Sequence, residues 1–308
     1  MGRIVAIVNQ KGGVGKTTTA VNLAAALALM DRPTLLVDAD PQANSTRALG
    51  FGPDPERRSI YDAFLTEAPI QEFALDYEAV PHLHLLPSDR DLVGVELELV
   101  HQKGREFLLK KFLQQAAGEF DHVLIDCPPS LGLITLNALV AADAVLIPVQ
   151  TEYLALEGIS QIVETIERVR DSFNPDLEID GVLLTMFDER TNLARQVVEE
   201  VRAVFGEQVY QTVIPRNIRL GEAPSHGQPI FCYDVRSTGA FAYLQLAKEF
   251  VNHAPQSTRT RSEQSDSTSA GQEAPAPADP VEDRDGGVRR IEVRQGEPDR
   301  PGPDTPQP

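Results

Sequence analysis

The sequence has 308 residues, of which 42% are hydrophobic, and a formal net charge of −18. That length suits one large α/β domain or two small ones with a substantial core. The net charge disfavours nucleic-acid binding by the chain as a whole, so any DNA contact has to come from a local basic patch. Two cysteines, Cys127 and Cys232, are too few for a disulfide framework and form no C-x-x-C pair, which predicts reduced thiols in a cytoplasmic protein.

The composition changes after residue 254. Residues 255–308 contain no Leu, Phe, Tyr or Met. They carry 7 basic and 11 acidic residues, so the net charge of residues 1–254 is −14. Because this segment lacks the apolar surface that would offset its ordering entropy, we predict one domain over 1–254 and a disordered Pro/Ser/acidic tail over 255–308. The sequence contains neither a membrane span nor a signal peptide, so we expect a cytoplasmic protein without membrane contact.

Apolar runs bounded by turn residues alternate with helical segments along the chain. The runs predict strands at residues 4–8, 34–37, 83–86, 122–125, 144–148, 181–186 and 209–214. Apolar positions three and four apart predict covering helices at residues 20–29, 157–172 and 192–205. This alternation indicates an α/β fold, a doubly wound and mostly parallel sheet with helices on both faces. Ligands of such sheets bind beyond the carboxyl ends of the strands, where we expect the functional site.

The loop between the first strand and the first helix has the features of a phosphate-binding loop. Residues 10–18 read QKGGVGKTT, and the glycines allow backbone N–H groups to turn towards phosphates. Lys16 is then the lysine for the β- and γ-phosphates, and the Thr17 hydroxyl is a ligand for Mg²⁺. The motif departs from the ordinary Walker A loop at Lys11, which is surplus to its own loop. A lysine at this position can reach a phosphate held by a second copy of the chain.

Aspartates follow two of the predicted strands. Asp38 and Asp40 end the second strand, where an acidic residue beside the phosphates can orient the attacking water or hold a metal-bound water. We assign the water to Asp40 and a place in the magnesium shell to Asp38. Asp126 ends the apolar run 123–125 in the Walker B arrangement that holds Mg²⁺. The two prolines after Cys127 stiffen a loop that can sense the γ-phosphate.

Together these motifs resemble the ParA/Soj family of chromosome-partitioning ATPases, which have a deviant Walker A loop and belong to the MinD/ParA superfamily. The resemblance covers about residues 1–254, and the tail has no counterpart in it. It is carried by Lys11 in the phosphate loop and by residues 38–42, 126–130, 148–152, 214–217 and 222–227.

The resemblance implies roles for individual residues. Lys11 would cross an ATP-sandwich dimer to the partner's phosphates, Lys16 would serve its own nucleotide, and Gly12 would lie at the tight dimer contact. Asp40 would support hydrolysis and Asp126 would bind magnesium. Residues around the adenine would be Thr185, Met186, Pro215 and Asn217, while the whole loop contributes Lys11, Gly12, Gly13, Val14, Gly15, Lys16, Thr17 and Thr18. Positions implicated in nonspecific DNA binding would be Arg190 and Arg219.

Arginines gather late in this otherwise acidic chain, at positions Arg190, Arg195, Arg202, Arg216 and Arg219. Dimerisation would place two such clusters on one face. Since phosphate contacts carry no sequence information, we expect salt-sensitive and nonspecific binding of double-stranded DNA. The resemblance further implies slow ATP hydrolysis that releases the dimer, a ParB/Spo0J-type partner that accelerates it, nucleoid association, and a role in chromosome or plasmid partitioning.

Three other functions stay open at this stage. A MinD-like membrane ATPase would need a C-terminal amphipathic helix, and residues 255–308 lack the large apolar side chains for one. A metabolic or redox ATPase on the same fold could share an iron–sulfur cluster across a dimer, but Cys127 directly follows the magnesium aspartate, where a cluster ligand conflicts with the metal site. A DNA-reading repressor would need an N-terminal helix-turn-helix domain, for which the first strand leaves no room.

Overall fold

The computed structural model describes residues 2–253, except 67, 116, 117 and 154. The predicted tail over 255–308 therefore lies outside the described residues. Within them, seven strands form one sheet in the order β3-β4-β2-β5-β1-β6-β7, and every neighbouring pair is parallel except β3 with β4. The strands are β1 (Arg3–Ile7), β2 (Thr34–Asp38), β3 (Leu75–Asp76), β4 (Leu83–Leu86), β5 (His122–Asp126), β6 (Ala144–Gln150) and β7 (Glu178–Thr185).

Helices cover both faces of this sheet, which confirms the predicted doubly wound α/β fold. They are α1 (Lys16–Ala28), α2 (Asn44–Ala48), α3 (Ile60–Leu65), α4 (Val95–Glu98), α5 (Leu108–Gln114), α6 (Leu133–Ala141), α7 (Ala155–Ser172), α8 (Asn192–Phe205), α9 (Ile218–Glu222), α10 (Ile230–Tyr233) and α11 (Thr238–Asn252). No helix among the described residues has the length and apolar character needed to cross a membrane.

The alternation of side chains along β1 divides the core into two layers. Ile4 and Ala6 face the layer that contains α5, α6 and α7, whereas Val5 and Ile7 face the layer that contains α1 and α11. Successive side chains of a strand point to opposite faces, so a central parallel strand has to be apolar at every position. Helix α1 is built mainly of Ala and Leu, and its packing between the sheet and α11 fixes the loop that precedes it.

Six of the seven predicted strands are present, and the prediction for residues 209–214 is wrong. That segment runs along β7 through isolated bridges only, between Val182 and Val209 and between Phe187 and Pro215. The backbone N–H groups of Gln211 and Thr212 donate instead to the Glu249 carboxylate, at 2.6 and 2.9 Å. The segment keeps backbone hydrogen bonds to β7 at its two ends, where the Tyr210 and Ile214 N–H groups donate to the carbonyls of Val182 and Leu184 at 3.0 and 2.9 Å. Between these ends the Glu249 side chain takes two N–H groups, so no continuous strand forms. The sequence also gave no signal for β3, which has only two residues.

The carboxyl ends of the parallel strands meet at one edge of the sheet. The phosphate loop follows β1, Asp38 and Asp126 are the last residues of β2 and β5, and Met186 follows β7. In the strand register Asp38 lies beside Asp126, because β2 and β5 are neighbours in the sheet. The topology alone therefore brings together residues that are far apart in the sequence.

Candidate nucleotide-binding site

The phosphate loop ends in a helix N-terminus that has no side-chain cap. Gly13 and Gly15 have φ values of 76° and 92°, a left-handed conformation that glycine adopts without strain. Gly15 is the N-cap of α1 and offers no side chain that could accept from the first N–H groups of the helix. Free N–H groups at the positive end of a helix dipole attract anions. The geometry of the loop is that of a phosphate site.

Lys16 lies at the bottom of the loop. Its side chain is buried, and its Nζ atom donates to the carbonyl oxygen of Lys11 at 3.2 Å. Burial lowers the pKa of Lys16, although the nearby Asp126 and Asp40 carboxylates act in the opposite direction. An ammonium group that is removed from water and held by a loop carbonyl is positioned to bind an incoming phosphate.

Lys11 is oriented differently from Lys16. Its side chain is 46% exposed, and its Nζ atom lies 2.9 Å from Oε2 of Glu152, which follows β6. The backbone of Lys11 is held by Asn9, whose Oδ1 accepts from the Lys11 N–H at 2.9 Å and whose Nδ2 donates to the Pro148 carbonyl at 2.7 Å. The loop is thereby fixed while the lysine head remains at the surface.

Asp126 is fully buried beside the loop. Its Oδ2 accepts a hydrogen bond from Ser45 Oγ at 2.8 Å, whereas its Oδ1 is buried without a hydrogen-bond partner. Burial raises the pKa of Asp126 to about 6, against the opposing effects of the Ser45 and Thr17 hydroxyls. An unpartnered buried carboxylate oxygen next to a threonine hydroxyl matches the hard oxygen ligands that Mg²⁺ prefers. The residues present fit this ion.

Asp38 lies next to Asp126 and has its oxygens committed to the protein. Its Oδ2 accepts from Thr46 N–H at 2.8 Å and from Thr46 Oγ1 at 2.7 Å, and its Oδ1 accepts from Asp40 N–H at 3.2 Å. Burial, together with the charge of Asp126, raises the pKa of Asp38 to about 7. Asp38 therefore ties the end of β2 to α2, and its place in the magnesium shell stays a prediction.

A cavity of about 760 Å³ opens above the loop, within the range of volumes typical of ligand pockets. Asp40 lines it, with its Oδ1 accepting the Gln42 N–H at 2.9 Å. The walls consist of the loop residues Gly12, Gly13, Gly15, Lys16, Thr17 and Thr18, then Val21, Asn22, Asp40, Gln42, Asn44, Arg47, Ala48, Pro129, Met186, Ala223, Pro224, Ser225 and Gln228.

The four residues predicted around the adenine are not together in the wall of this cavity. Met186 lines it, and Thr185 lies below the loop with its Oγ1 donating to the Val14 carbonyl at 2.8 Å. Pro215 and Asn217 are not among its lining residues. Asn217 caps α9 through the Arg219 N–H at 2.8 Å, and Pro215 pairs with Phe187. Their contact with the adenine stays a prediction.

The two arginines predicted to bind DNA are exposed and already paired within the chain. Arg190 donates from Nε and a terminal nitrogen to the two oxygens of Asp188, at 2.8 and 2.7 Å. Arg219 lies 2.8 Å from Glu222 and 3.5 Å from Asp234. Exposed ion pairs of this kind contribute little free energy. The carboxylates hold the guanidinium groups in place, but a stronger anion can displace them.

The sequence analysis assigned no role to several residues that build the site, although residues 223–225 lie in a segment that carries the family resemblance. Ser45 and Thr46 hold Asp126 and Asp38, Asn9 fixes the loop, and residues 223–225 with Gln228 form one wall of the cavity. Asn22 Oδ1 accepts the Ile230 N–H at 2.7 Å and so ties α1 to α10, close to that wall. Residues 44–46 carried a local signal as well, because these small polar residues follow the 38–42 motif after Ala43.

Comparisons with known proteins agree with this geometry. A family model described as an AAA domain matches residues 2–179. The chromosome partitioning protein ParA of Myxococcus xanthus is 54% identical over 262 residues, covering 85% of this chain and 92% of that protein. The sporulation initiation inhibitor protein Soj of Bacillus subtilis is 53% identical over 249 residues, covering 81% of this chain and 98% of that protein.

A solved structure named cobyrinic acid a,c-diamide synthase, from Mycobacterium smegmatis with bound ADP and magnesium, is also similar. It is 39% identical with a TM-score of 0.72, and the match covers 82% of this chain and 95% of that one. The identities to the partitioning proteins extend over most of this chain, and the family model spans the phosphate loop and both aspartate motifs. The chain therefore belongs to the ParA/Soj family of chromosome-partitioning ATPases.

Proposed function

We propose that this protein is an ATP-dependent dimerising switch in chromosome or plasmid partitioning. ATP binding joins two copies face to face, the dimer holds double-stranded DNA without sequence preference, and slow hydrolysis releases both. The observation that carries the proposal is the position of Lys11. Lys11 belongs to the phosphate loop in the sequence, yet its ammonium group lies at the surface, paired with Glu152, and does not point into its own loop.

Nucleotide binding is supported by the uncapped N-terminus of α1, the buried Lys16 and the cavity above them. Thr17 and Asp126 would hold Mg²⁺, which, when bound, neutralises charge on the phosphate oxygens. Solved relatives of this fold that contain ADP or an ATP analogue with magnesium support the same assignment. We infer that Thr185 and Met186 lie on the nucleoside side, together with Pro215 and Asn217.

Asp40 is the residue that we assign to orient the attacking water. It lines the cavity, and one of its oxygens accepts the Gln42 N–H, which fixes the direction of the carboxylate. Asp40 is buried at the wall of the cavity, which would limit exchange with bulk solvent of a water held beside the nucleotide. Slow turnover fits a site whose lysine from the second copy arrives only on dimerisation.

Gly12 supports the face-to-face dimer. A Cβ atom at this position would meet nothing within 4 Å in the chain, and Gly12 does not have the left-handed backbone that favours glycine. Nothing inside one chain therefore requires a glycine here. The backbone of a second copy that approaches Gly12 closely would leave no room for a side chain, and this is the tight dimer contact that we assign to Gly12.

DNA binding rests on Arg190 and Arg219, both exposed in this acidic chain. Two copies of the pair on one face of a dimer add avidity without any new kind of contact, so ATP would control how long the protein stays on DNA. We place the protein on the nucleoid in the cytoplasm, with a ParB/Spo0J-type partner that accelerates hydrolysis.

Size-exclusion chromatography with and without ATP tests this proposal, using an Asp40→Ala variant to retain the triphosphate. We expect the variant to elute as a dimer only with ATP and Mg²⁺, and the dimer fractions alone to retain DNA in a binding assay. A variant that stays monomeric when it is saturated with ATP contradicts the proposal, as does equal DNA retention by monomer and dimer fractions.

A further inference from the structure

The helical segment around α4 is apolar on two opposite faces. Leu92, Val95 and Leu99 point into the core and are at most 2% exposed. On the outward face, at the spacing i, i+4, i+7, Val93, Leu97 and Val100 are 63%, 79% and 52% exposed; we call these three residues the outer stripe. Exposed apolar side chains that lie next to one another often mark an interaction surface. The inward face already supplies the core packing, so folding does not explain the outer stripe.

The charges around the outer stripe indicate what can cover it. Glu96 and Glu98 are the only charged residues between positions 93 and 100, while the basic Arg90 and Lys103 lie beyond its two ends. Glu98 is held in place by the Tyr61 hydroxyl, which donates to Oε1 at 3.0 Å. Two copies of this face would bring like charges together, which costs free energy. A cationic partner meets both the apolar side chains and the carboxylates.

The same segment is bonded to a loop of the nucleotide site. Oε1 of Glu96 accepts the Leu133 N–H at 2.8 Å, at the start of α6. A Cβ atom on Gly132 would lie 2.1 Å from this oxygen, so the glycine allows the two segments to touch. Residues 127–132 connect this contact to Asp126, and Pro129 of this loop lines the cavity. This hydrogen bond is the contact through which a shift of α4 would reach the loop beside the cavity.

We propose that the outer stripe is a docking surface for a basic amphipathic helix of a partner protein, and that Glu96 couples its occupancy to the nucleotide site. Helix-in-groove recognition uses apolar anchors three and four positions apart, and three anchors with two carboxylates make a small, transient interface. Binding itself is independent of the function proposed above. Only the consequence for ATP turnover rests on that function.

Fluorescence anisotropy of the full chain without nucleotide tests the docking surface. The probe is a labelled helical peptide of about 15 residues, with leucines three and four positions apart and arginines on the other face. The control peptide has the same composition in scrambled order. Leu97→Glu changes the outer stripe, and the matched control Val204→Glu changes another exposed apolar residue, on α8.

We expect micromolar binding of the helical peptide, at least tenfold weaker binding to Leu97→Glu, and unchanged binding to Val204→Glu. Equal binding of both peptides, or equal losses in both variants, overturns the docking surface. So does an effect of Leu97→Glu on self-association in size-exclusion chromatography, because the occupant is then a second copy. If the peptide does not bind, the proposal of an ATP-dependent dimer is unaffected. If the dimer does not form, the proposal of peptide binding is unaffected.

The coupling has its own readout. We expect the helical peptide to change the ATP turnover of the wild-type protein. Glu96→Leu removes one of the two carboxylates but keeps the three apolar anchors, so we expect its peptide binding to weaken less than that of Leu97→Glu, while its turnover no longer responds to bound peptide. A wild-type turnover that does not respond to bound peptide, or a Glu96→Leu variant that responds like the wild type, overturns the coupling.

Discussion

The Nζ atom of Lys11 lies 2.9 Å from Oε2 of Glu152, so the additional lysine of the phosphate loop is paired with a carboxylate of its own chain. Both side chains are about half exposed, and exposed ion pairs contribute about 0 to 1 kcal/mol. A triphosphate on a second copy carries more negative charge than one glutamate. The ion pair with Glu152 therefore holds the Lys11 side chain in a defined position, and it is weak enough for the ammonium group to leave Glu152 for a phosphate of a second copy.

Replacement of Lys11 by alanine separates nucleotide binding from dimerisation. We expect Lys11→Ala to bind ATP with nearly wild-type affinity, because Lys16 and the N–H groups of the loop remain. It should not form the ATP-dependent dimer, and turnover should fall by roughly 10³ or more if Lys11 acts as an arginine finger does. Isothermal titration, size-exclusion chromatography and phosphate release measure the three quantities. Lys103→Ala, an exposed lysine elsewhere, is the control, and normal turnover in Lys11→Ala contradicts the role.

We expect the Ser45 hydroxyl, which donates to Asp126 Oδ2, to affect the magnesium affinity of the site. Ser45→Ala removes the donor to Asp126 Oδ2, which leaves the buried carboxylate less well oriented. Loss of a residue that orients a metal ligand typically weakens metal binding by about 10- to 100-fold. A Mg²⁺ titration of the binding of a fluorescent ATP analogue should show this shift. Ser160→Ala is the control, because Ser160 Oγ only donates to the Leu156 carbonyl of its own helix; an equal Mg²⁺ midpoint in both variants refutes the prediction.

The sequence was sufficient for features whose signal is local. The apolar runs placed the phosphate loop after β1 and Asp38 and Asp126 at the ends of β2 and β5, as the structure has them, whereas the chemical roles of these residues and of Asp40 stay predictions. The hydrogen bond from Ser45 to Asp126 spans 81 residues, and no spacing rule predicts it. The strand predicted at 209–214 failed for a related reason, since the Glu249 carboxylate that takes its N–H groups lies on α11.

Arg219→Glu should remove DNA retention and leave nucleotide binding intact. Its guanidinium is exposed and lies outside the cavity lining, and the substitution would place a third carboxylate beside Glu222 and Asp234. We expect at least tenfold weaker binding of nonspecific DNA at low salt and a salt slope reduced by about 1 for each chain. Arg168→Glu, the same charge change on α7, is the control. Equal salt titrations for the two variants count against a role of Arg219.

Burial of His122 makes the stability of the fold depend on pH. The imidazole lies at the start of β5 beside the Phe250 ring, and its Nδ1 is buried without a hydrogen-bond partner. Burial lowers the pKa of His122 from 6.5 to about 4, reinforced by Arg3 and Arg32 and opposed by Asp121. The unfolded chain therefore takes up a proton below about pH 6.5, whereas the folded chain does so only near pH 4. The neutral buried imidazole therefore stabilises the fold above about pH 6.5, and this contribution to the free energy of unfolding is lost as the pH falls from about 6.5 to about 4.

A urea unfolding series at pH 7 and pH 5 measures this effect. We expect the wild type to lose roughly 1 kcal/mol more stability between these pH values than His122→Gln does, after allowance for solvent screening of a partly exposed group. His101→Gln, which removes an exposed histidine, should follow the wild type. Because the carboxylates titrate alike in all three proteins, only the difference between variants reports on His122. Parallel pH profiles for His122→Gln and the wild type would show that this histidine is protonated as easily in the folded chain as in the unfolded one.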